Sequence, residues 1–105
     1  MIRLCSTDEL TEGQSRGFTL NGIRLLAVRR GGRVYAYENR CPHRGVPLDW
    51  QAGHFLNETS TLLQCAHHGA LFTIETGECV SGPCLGQELN LIPCEENTDG
   101  IWIDP

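Results

Sequence analysis

The chain has 105 residues and a formal net charge of −5, with 40% hydrophobic and 20% charged residues. That is one domain's worth of foldable sequence, too apolar for a disordered segment and too acidic in total for a typical nucleic-acid binder. All eight basic residues are arginines, none beyond Arg44, so residues 1–50 sum to +3 and residues 51–105 to −8.

Met1-Ile2-Arg3-Leu4-Cys5 runs directly into Ser6-Thr7-Asp8-Glu9 with no apolar segment of signal-peptide length, and no later stretch approaches a membrane span. The expectation is a cytoplasmic protein with reduced thiols, in which clustered Cys and His bind metal and no disulfide framework forms. Six cysteines and four histidines are the candidates to supplement a thin core.

In chain order, Ser6 and Glu9 are spaced as a capping box ahead of Leu10, which predicts one short helical turn ended by Gly13. From there the punctuation is of β type. Arg16 to Leu20 alternates, Asn21-Gly22 is a two-residue hairpin signal, and Ile23 to Arg30 alternates in part. Gly31-Gly32 makes a second tight turn into Val34-Tyr35-Ala36-Tyr37, completing a three-stranded meander. Further short strands are predicted at Gly53–Leu56, Thr61–Gln64, Leu71–Ile74, Glu78–Val80, Leu89–Pro93 and Ile101–Ile103, with a hairpin turn at Thr76-Gly77. Many short strands with Gly-rich turns predict an all-β chain, a small antiparallel sandwich or barrel. Irregular segments remain at 39–52, 65–70 and 81–88, and structureless loops of this length are usually functional or held by something.

Two of these loops carry metal-ligand residues. The first reads Cys41-Pro42-His43-Arg44-Gly45 and the second Cys65-Ala66-His67-His68-Gly69: C-x-H, 21 residues, then C-x-x-H. Each loop offers one thiolate and one imidazole, and Pro42, Gly45 and Gly69 permit tight backbone around them. Thiolate plus imidazole suits zinc or an iron–sulfur cluster far better than Mg²⁺ or Ca²⁺.

On these two loops the sequence resembles the Rieske [2Fe-2S] family, and the likeness runs from the β meander to a proline-containing third loop, Ser81-Gly82-Pro83-Cys84. The resemblance implies a single Rieske domain over 1–105, with a cluster-binding tip at about 39–86 built from two ligand loops and a proline loop. It implies one [2Fe-2S] cluster per chain, with Cys41 and Cys65 on one iron and His43 and His68 on the other, leaving His67 outside the ligand set. Two imidazoles in place of two thiolates leave the oxidised site neutral rather than doubly negative, which eases reduction. Such sites span about −150 to +300 mV, against about −400 mV for plant-type clusters. They also couple the electron to a proton at the rings, so the midpoint should become pH-dependent at alkaline pH.

High-potential respiratory members of the family add a cysteine to each loop, at positions held here by Val46 and His67, and cluster-facing hydroxyls at positions held here by Ala70 and Phe72. Donors near sulfur favour the more negative reduced state, so this sequence is more similar to the low-potential ferredoxins of bacterial ring-hydroxylating dioxygenases. The function implied is a monomeric, non-catalytic electron carrier between a flavin-dependent reductase and a terminal oxygenase, with no nucleic-acid or membrane partner. Two other readings stay open on the residues: the Rieske-like small subunit of a nitrite reductase-type complex, and a Cys₂His₂ structural-zinc interaction module.

The remaining chemistry-bearing residues read more simply. Cys5, Cys79, Cys84 and Cys94 are expected as small buried hydrophobes, with Cys84 singled out because Ser81 to Gly86 should cover the cluster. A Cys79–Cys84 disulfide is conceivable under oxidation. His54 reads as a strand or surface histidine, His67 as an exposed neighbour of the cluster, and Trp50 and Trp102 as core or loop anchors. Arg44 beside His43 is a docking charge or a solvated one, and no nucleophile–base pair or phosphate loop is present in the sequence.

Overall fold

The computed structural model describes residues 1–42, 45–49, 55–66 and 69–104. Among these residues ten strands follow in order: β1 (Ile2–Cys5), β2 (Ser15–Leu20), β3 (Ile23–Arg30), β4 (Arg33–Glu38), β5 (Leu62–Gln64), β6 (Leu71–Thr73), β7 (Cys79–Ser81), β8 (Leu91–Ile92), β9 (Cys94–Asn97) and β10 (Gly100–Ile103). They form three antiparallel sheets ordered β1-β10-β9, β2-β3-β4-β8 and β5-β6-β7. Each order is linear, so the expected alternative of a closed barrel is not what the described residues form; the chain is a sandwich of open sheets.

The meander β2–β4 follows its turn residues. Asn21 and Gly22 both take positive φ (50° and 79°), as do Gly31 and Gly32 (62° and 78°), the left-handed pairs that match the twist of flanking strands. β3 explains why its alternation is only partial. Leu26 and Val28 join the buried cluster that includes Leu63, Phe72 and Cys79 of β5–β7, whereas Leu25 and Ala27 join clusters with Ile101 and Ile103 of β10. Successive side chains leave opposite faces of a strand, so the four-stranded sheet lies between the other two and buries both faces. A strand covered on both sides reads as a continuous apolar run.

Charged side chains join the layers as well. Arg29 on β3 pairs with Glu96 on β9 at 2.5 Å while its Nε donates to the Leu10 carbonyl at 2.6 Å. Arg30 reaches Glu75 in the β6–β7 turn at 3.2 Å. Both pairs join an arginine of the basic half to an acid of the acidic half, so the +3/−8 division of the sequence partly cancels in the fold.

Several sequence expectations need correction. Ser6 N–H donates to Glu9 Oε2 at 2.6 Å as a capping box requires, but the turn is 3₁₀, spans Thr7–Glu9 and ends at extended Leu10 rather than at Gly13. Leu10 leaves the helical region to bury its side chain beside Cys5, Ala27 and Ile101. The strand expected at Leu89–Pro93 shrinks to Leu91–Ile92, because Pro93 has no N–H to donate and Leu89 N–H bonds instead to Gly77 O at 2.9 Å. Of the strand expected at Gly53–Leu56, residues 53 and 54 lie outside the described residues, and Leu56 makes an isolated bridge to Leu63. β1 and β9 are additional strands. Trp102 anchors the β9–β10 hairpin through Nε1 to Asn97 Oδ1 at 3.2 Å. Trp50, His54 and Arg44 lie outside the described residues.

Candidate metal centre

The two cysteine loops are built on one backbone plan. Cys41 N–H donates to Val46 O at 2.7 Å, and Gly45 N–H returns to Cys41 O at 2.7 Å. Cys65 N–H donates to Ala70 O at 2.9 Å, and Gly69 N–H returns to Cys65 O at 2.8 Å. Each turn places a glycine four residues after its cysteine with φ near 70° (Gly45 70°, Gly69 69°), a conformation that disfavours a Cβ. The shared sequence signal is Cys-x-x-x-Gly, which the C-x-H and C-x-x-H spacings conceal because the histidine moves by one position inside it.

The loops are joined to each other. Ala66 N–H donates to Leu48 O at 2.9 Å, linking the second loop to the first. Leu48 N–H in turn donates to Asn39 Oδ1 at 2.8 Å, while Asn39 Nδ2 donates to Asp49 Oδ1 at 2.9 Å. Asn39 is a buried polar residue that nothing local in the sequence marks. Both its amide ends are used to hold the first loop closed, as a buried amide must be.

Cys41 and Cys65 are fully buried and belong to one cluster with Leu48, Ala70, Phe72 and Cys84. The third loop seats on the first two. Cys84 Sγ lies 3.7 Å from Cys41 Sγ. A Cβ built on Gly82 would stand 2.9 Å from Ala70 Cα, so only glycine, here at φ 99°, lets the third loop approach the second. Cys84 O accepts Gln87 N–H at 2.8 Å, and Gln87 O accepts Cys79 N–H at 2.9 Å, which fixes that loop to β7.

No disulfide joins any of the six cysteines, all of which are among the described residues. The conceivable Cys79–Cys84 bridge is absent: Cys79 Sγ donates to Ser81 O at 3.3 Å, and the sulfur facing Cys84 is Cys41. Cys5 and Cys79 are buried as expected, whereas Cys94 is only half-buried, its Sγ 3.7 Å from Val34 O. Burial pushes the Cys94 thiol up to about 11 and raises Cys5 as well, with Glu9 adding to the latter, so both are poor nucleophiles at neutral pH.

Of the four expected ligands, Cys41 and Cys65 are thus placed together in one buried cluster; His43 and His68 lie outside the described residues, as does His67. Among the described residues no set of three or more His, Cys, Asp or Glu side chains is gathered for a metal. The donor set still fits a thiolate-ligated group: two buried sulfurs, each at the start of a glycine-closed turn, with an imidazole in the sequence of each turn.

Residues 1–95 match the Rieske [2Fe-2S] domain family. The chain belongs to that family. The Rieske domain is 32% identical over 80 residues to the ferredoxin component of the alkene monooxygenase system of Xanthobacter autotrophicus, covering 76% of this chain and 62% of that protein. It is 35% identical over 79 residues to the terminal oxygenase component of a carbazole 1,9a-dioxygenase from a Sphingomonas species, covering 75% of this chain but 20% of the oxygenase. Among solved structures, the ferredoxin of carbazole 1,9a-dioxygenase from Nocardioides aromaticivorans superposes with a TM-score of 0.80 at 26% identity, over 99% of this chain and 96% of that one. The Rieske domain therefore spans less than two thirds of these curated relatives, yet nearly all of that ferredoxin chain of known structure. No helix among the described residues is long and apolar enough to cross a membrane.

Proposed function

We propose that this chain is a single-electron carrier of the Rieske ferredoxin type, one domain over 1–105 with its cluster-binding tip at about 39–86. The observation that carries this reading is the near end-to-end likeness to a dioxygenase ferredoxin, together with two cysteine turns of one design in a buried cluster. Cys41 and Cys65 hold one iron as thiolates, and His43 and His68 hold the other through imidazole nitrogen. When bound, the [2Fe-2S] group supplies a site that accepts and returns one electron.

The rest of the device belongs to the protein. The turns at Gly45 and Gly69 aim each loop's cysteine inward, and the Ala66–Leu48 bond keeps the two loops at fixed separation. A fixed ligand cage changes little between redox states. Ala70 and Phe72 share the buried cluster with the two cysteines and carry no side-chain hydroxyl, which supports a midpoint in the lower part of the Rieske range. The partners that suit this reading are a flavin-dependent reductase upstream and a terminal oxygenase downstream, with the ferredoxin acting as a monomer. Protein-film voltammetry tests the proposal. One reversible one-electron wave in the lower part of the range is expected; no wave, or a midpoint above about +100 mV, overturns it.

A further inference from the structure

The third loop places a sulfur that the four-ligand set does not use. Cys84 Sγ is 3.7 Å from Cys41 Sγ, and both residues have zero exposure. That distance is within reach of a hydrogen bond between sulfurs, and Cys41 is one of the two thiolates the electron-carrier reading requires. A ligand thiolate has no proton to give, so a hydrogen bond between these two sulfurs in the loaded protein takes its proton from Cys84. The loop cannot readily withdraw it: Gly82 is pressed against Ala70, and the Cys84 carbonyl is bound by Gln87 N–H at 2.8 Å.

We propose that Cys84 is a potential-setting residue, donating its S–H to the Cys41 thiolate and thereby favouring the reduced state. The inference rests on the electron-carrier reading above. Its physics is a difference between two charge states. Reduction adds one negative charge shared over the iron and sulfur atoms, so a donor to a ligand sulfur binds more strongly after reduction than before. In a buried site this difference is little screened by water. Cys84 touches the ligand rather than the reacting iron, so it is a positioning residue.

Cys84→Ala and Cys84→Ser separate the donor from the packing, because the two leave nearly the same space and only serine keeps an X–H. With each variant loaded with its cluster, voltammetry should show Cys84→Ala harder to reduce than wild type by about three- to tenfold in the reduction equilibrium, a tenfold change being about 59 mV for one electron. Cys84→Ser should recover at least half of that shift. Equal midpoints for Ala and Ser overturn the proposal even if both differ from wild type. A second readout needs no folded variant: in the wild type, the reduced-minus-oxidised infrared spectrum should show one S–H stretch moving to lower frequency on reduction. An unmoved S–H region overturns the inference, while a wild type that loads no cluster overturns the electron-carrier reading beneath it.

Discussion

The central meander and the cysteine-bearing layer keep their shape by different means. β2 pairs with β3 from Ser15 opposite Val28 to Leu20 opposite Ile23, and β3 continues unbroken onto β4 from Leu25 opposite Glu38 to Arg30 opposite Arg33. β5 and β6 share only Leu62 to Gln64 opposite Thr73 to Leu71, and the β6–β7 register slips between Leu71 and Phe72. Ladder hydrogen bonds and local turns suffice for the first region. The second is held by loop bonds at Cys41, Cys65 and Leu48, by glycines that allow close approach, and by a buried group of sulfurs. Stability therefore resides in the sheet beneath, and the layer that carries function depends on its loops and on what they bind.

The largest expected effect separates the two regions most sharply. Cys41→Ala or Cys65→Ala should abolish the visible chromophore. Hydrogen exchange should then accelerate at residues 39–49 and 62–81 while β2–β4 stay protected. Uniform loss of protection would show that the layers are not separable.

Paired glycine substitutions come next. Gly100→Ala puts a Cβ 2.5 Å from Cys5 O beneath the meander, and Gly82→Ala puts one 2.9 Å from Ala70 Cα at the tip, both at positive φ. Each should cost about 1–3 kcal/mol in strain. Thermal unfolding should register both as a lower Tm, and only the second should also speed loss of the cluster.

Tyr37→Phe acts between the regions. The hydroxyl on β4 donates to Ile74 O at 2.6 Å, and Gly77 lies close enough to the ring that a Cβ there would stand 2.7 Å from Cε1. Burial raises the Tyr37 pKa, so the group remains a neutral donor at all ordinary pH. Losing it leaves a buried carbonyl unpaired, and denaturant unfolding should show a loss of about 1–3 kcal/mol.

The smallest effect is electrostatic. The Arg29 guanidinium bound to Glu96 holds that carboxyl below its ordinary value of 4.5. A depressed folded-state pKa contributes stability that is complete above the unfolded value and is lost as pH falls through the lower folded one. Glu96→Gln should therefore reduce stability at neutral pH and flatten its decline below about pH 4.5. An unchanged acid profile would remove this pair from the links between β3 and β9.

What the sequence made legible follows the same division. Asn21-Gly22, Gly31-Gly32 and Thr76-Gly77 each encode a turn within two residues, so the hairpins could be placed without knowing the fold. β1 could not, because its partner β10 lies at the other end of the chain and nothing local in Ile2-Arg3-Leu4-Cys5 reveals it. β9 reads as a polar run, Cys94-Glu95-Glu96-Asn97, which suits a sheet edge and hides from a search for apolar alternation. At the site, the cysteine and histidine spacing was plain, whereas the role of Asn39 and the contact between Cys84 and Cys41 arise only when three separate loops are folded onto one another.

The most direct test of the account is the EPR spectrum of the protein purified without oxygen and reduced with dithionite. Ligation by Cys41, Cys65, His43 and His68 predicts a brown protein with a rhombic signal whose average g value lies below that of a four-cysteine cluster. A colourless, silent protein containing zinc, or a signal with the average g value of a four-cysteine cluster, would contradict it.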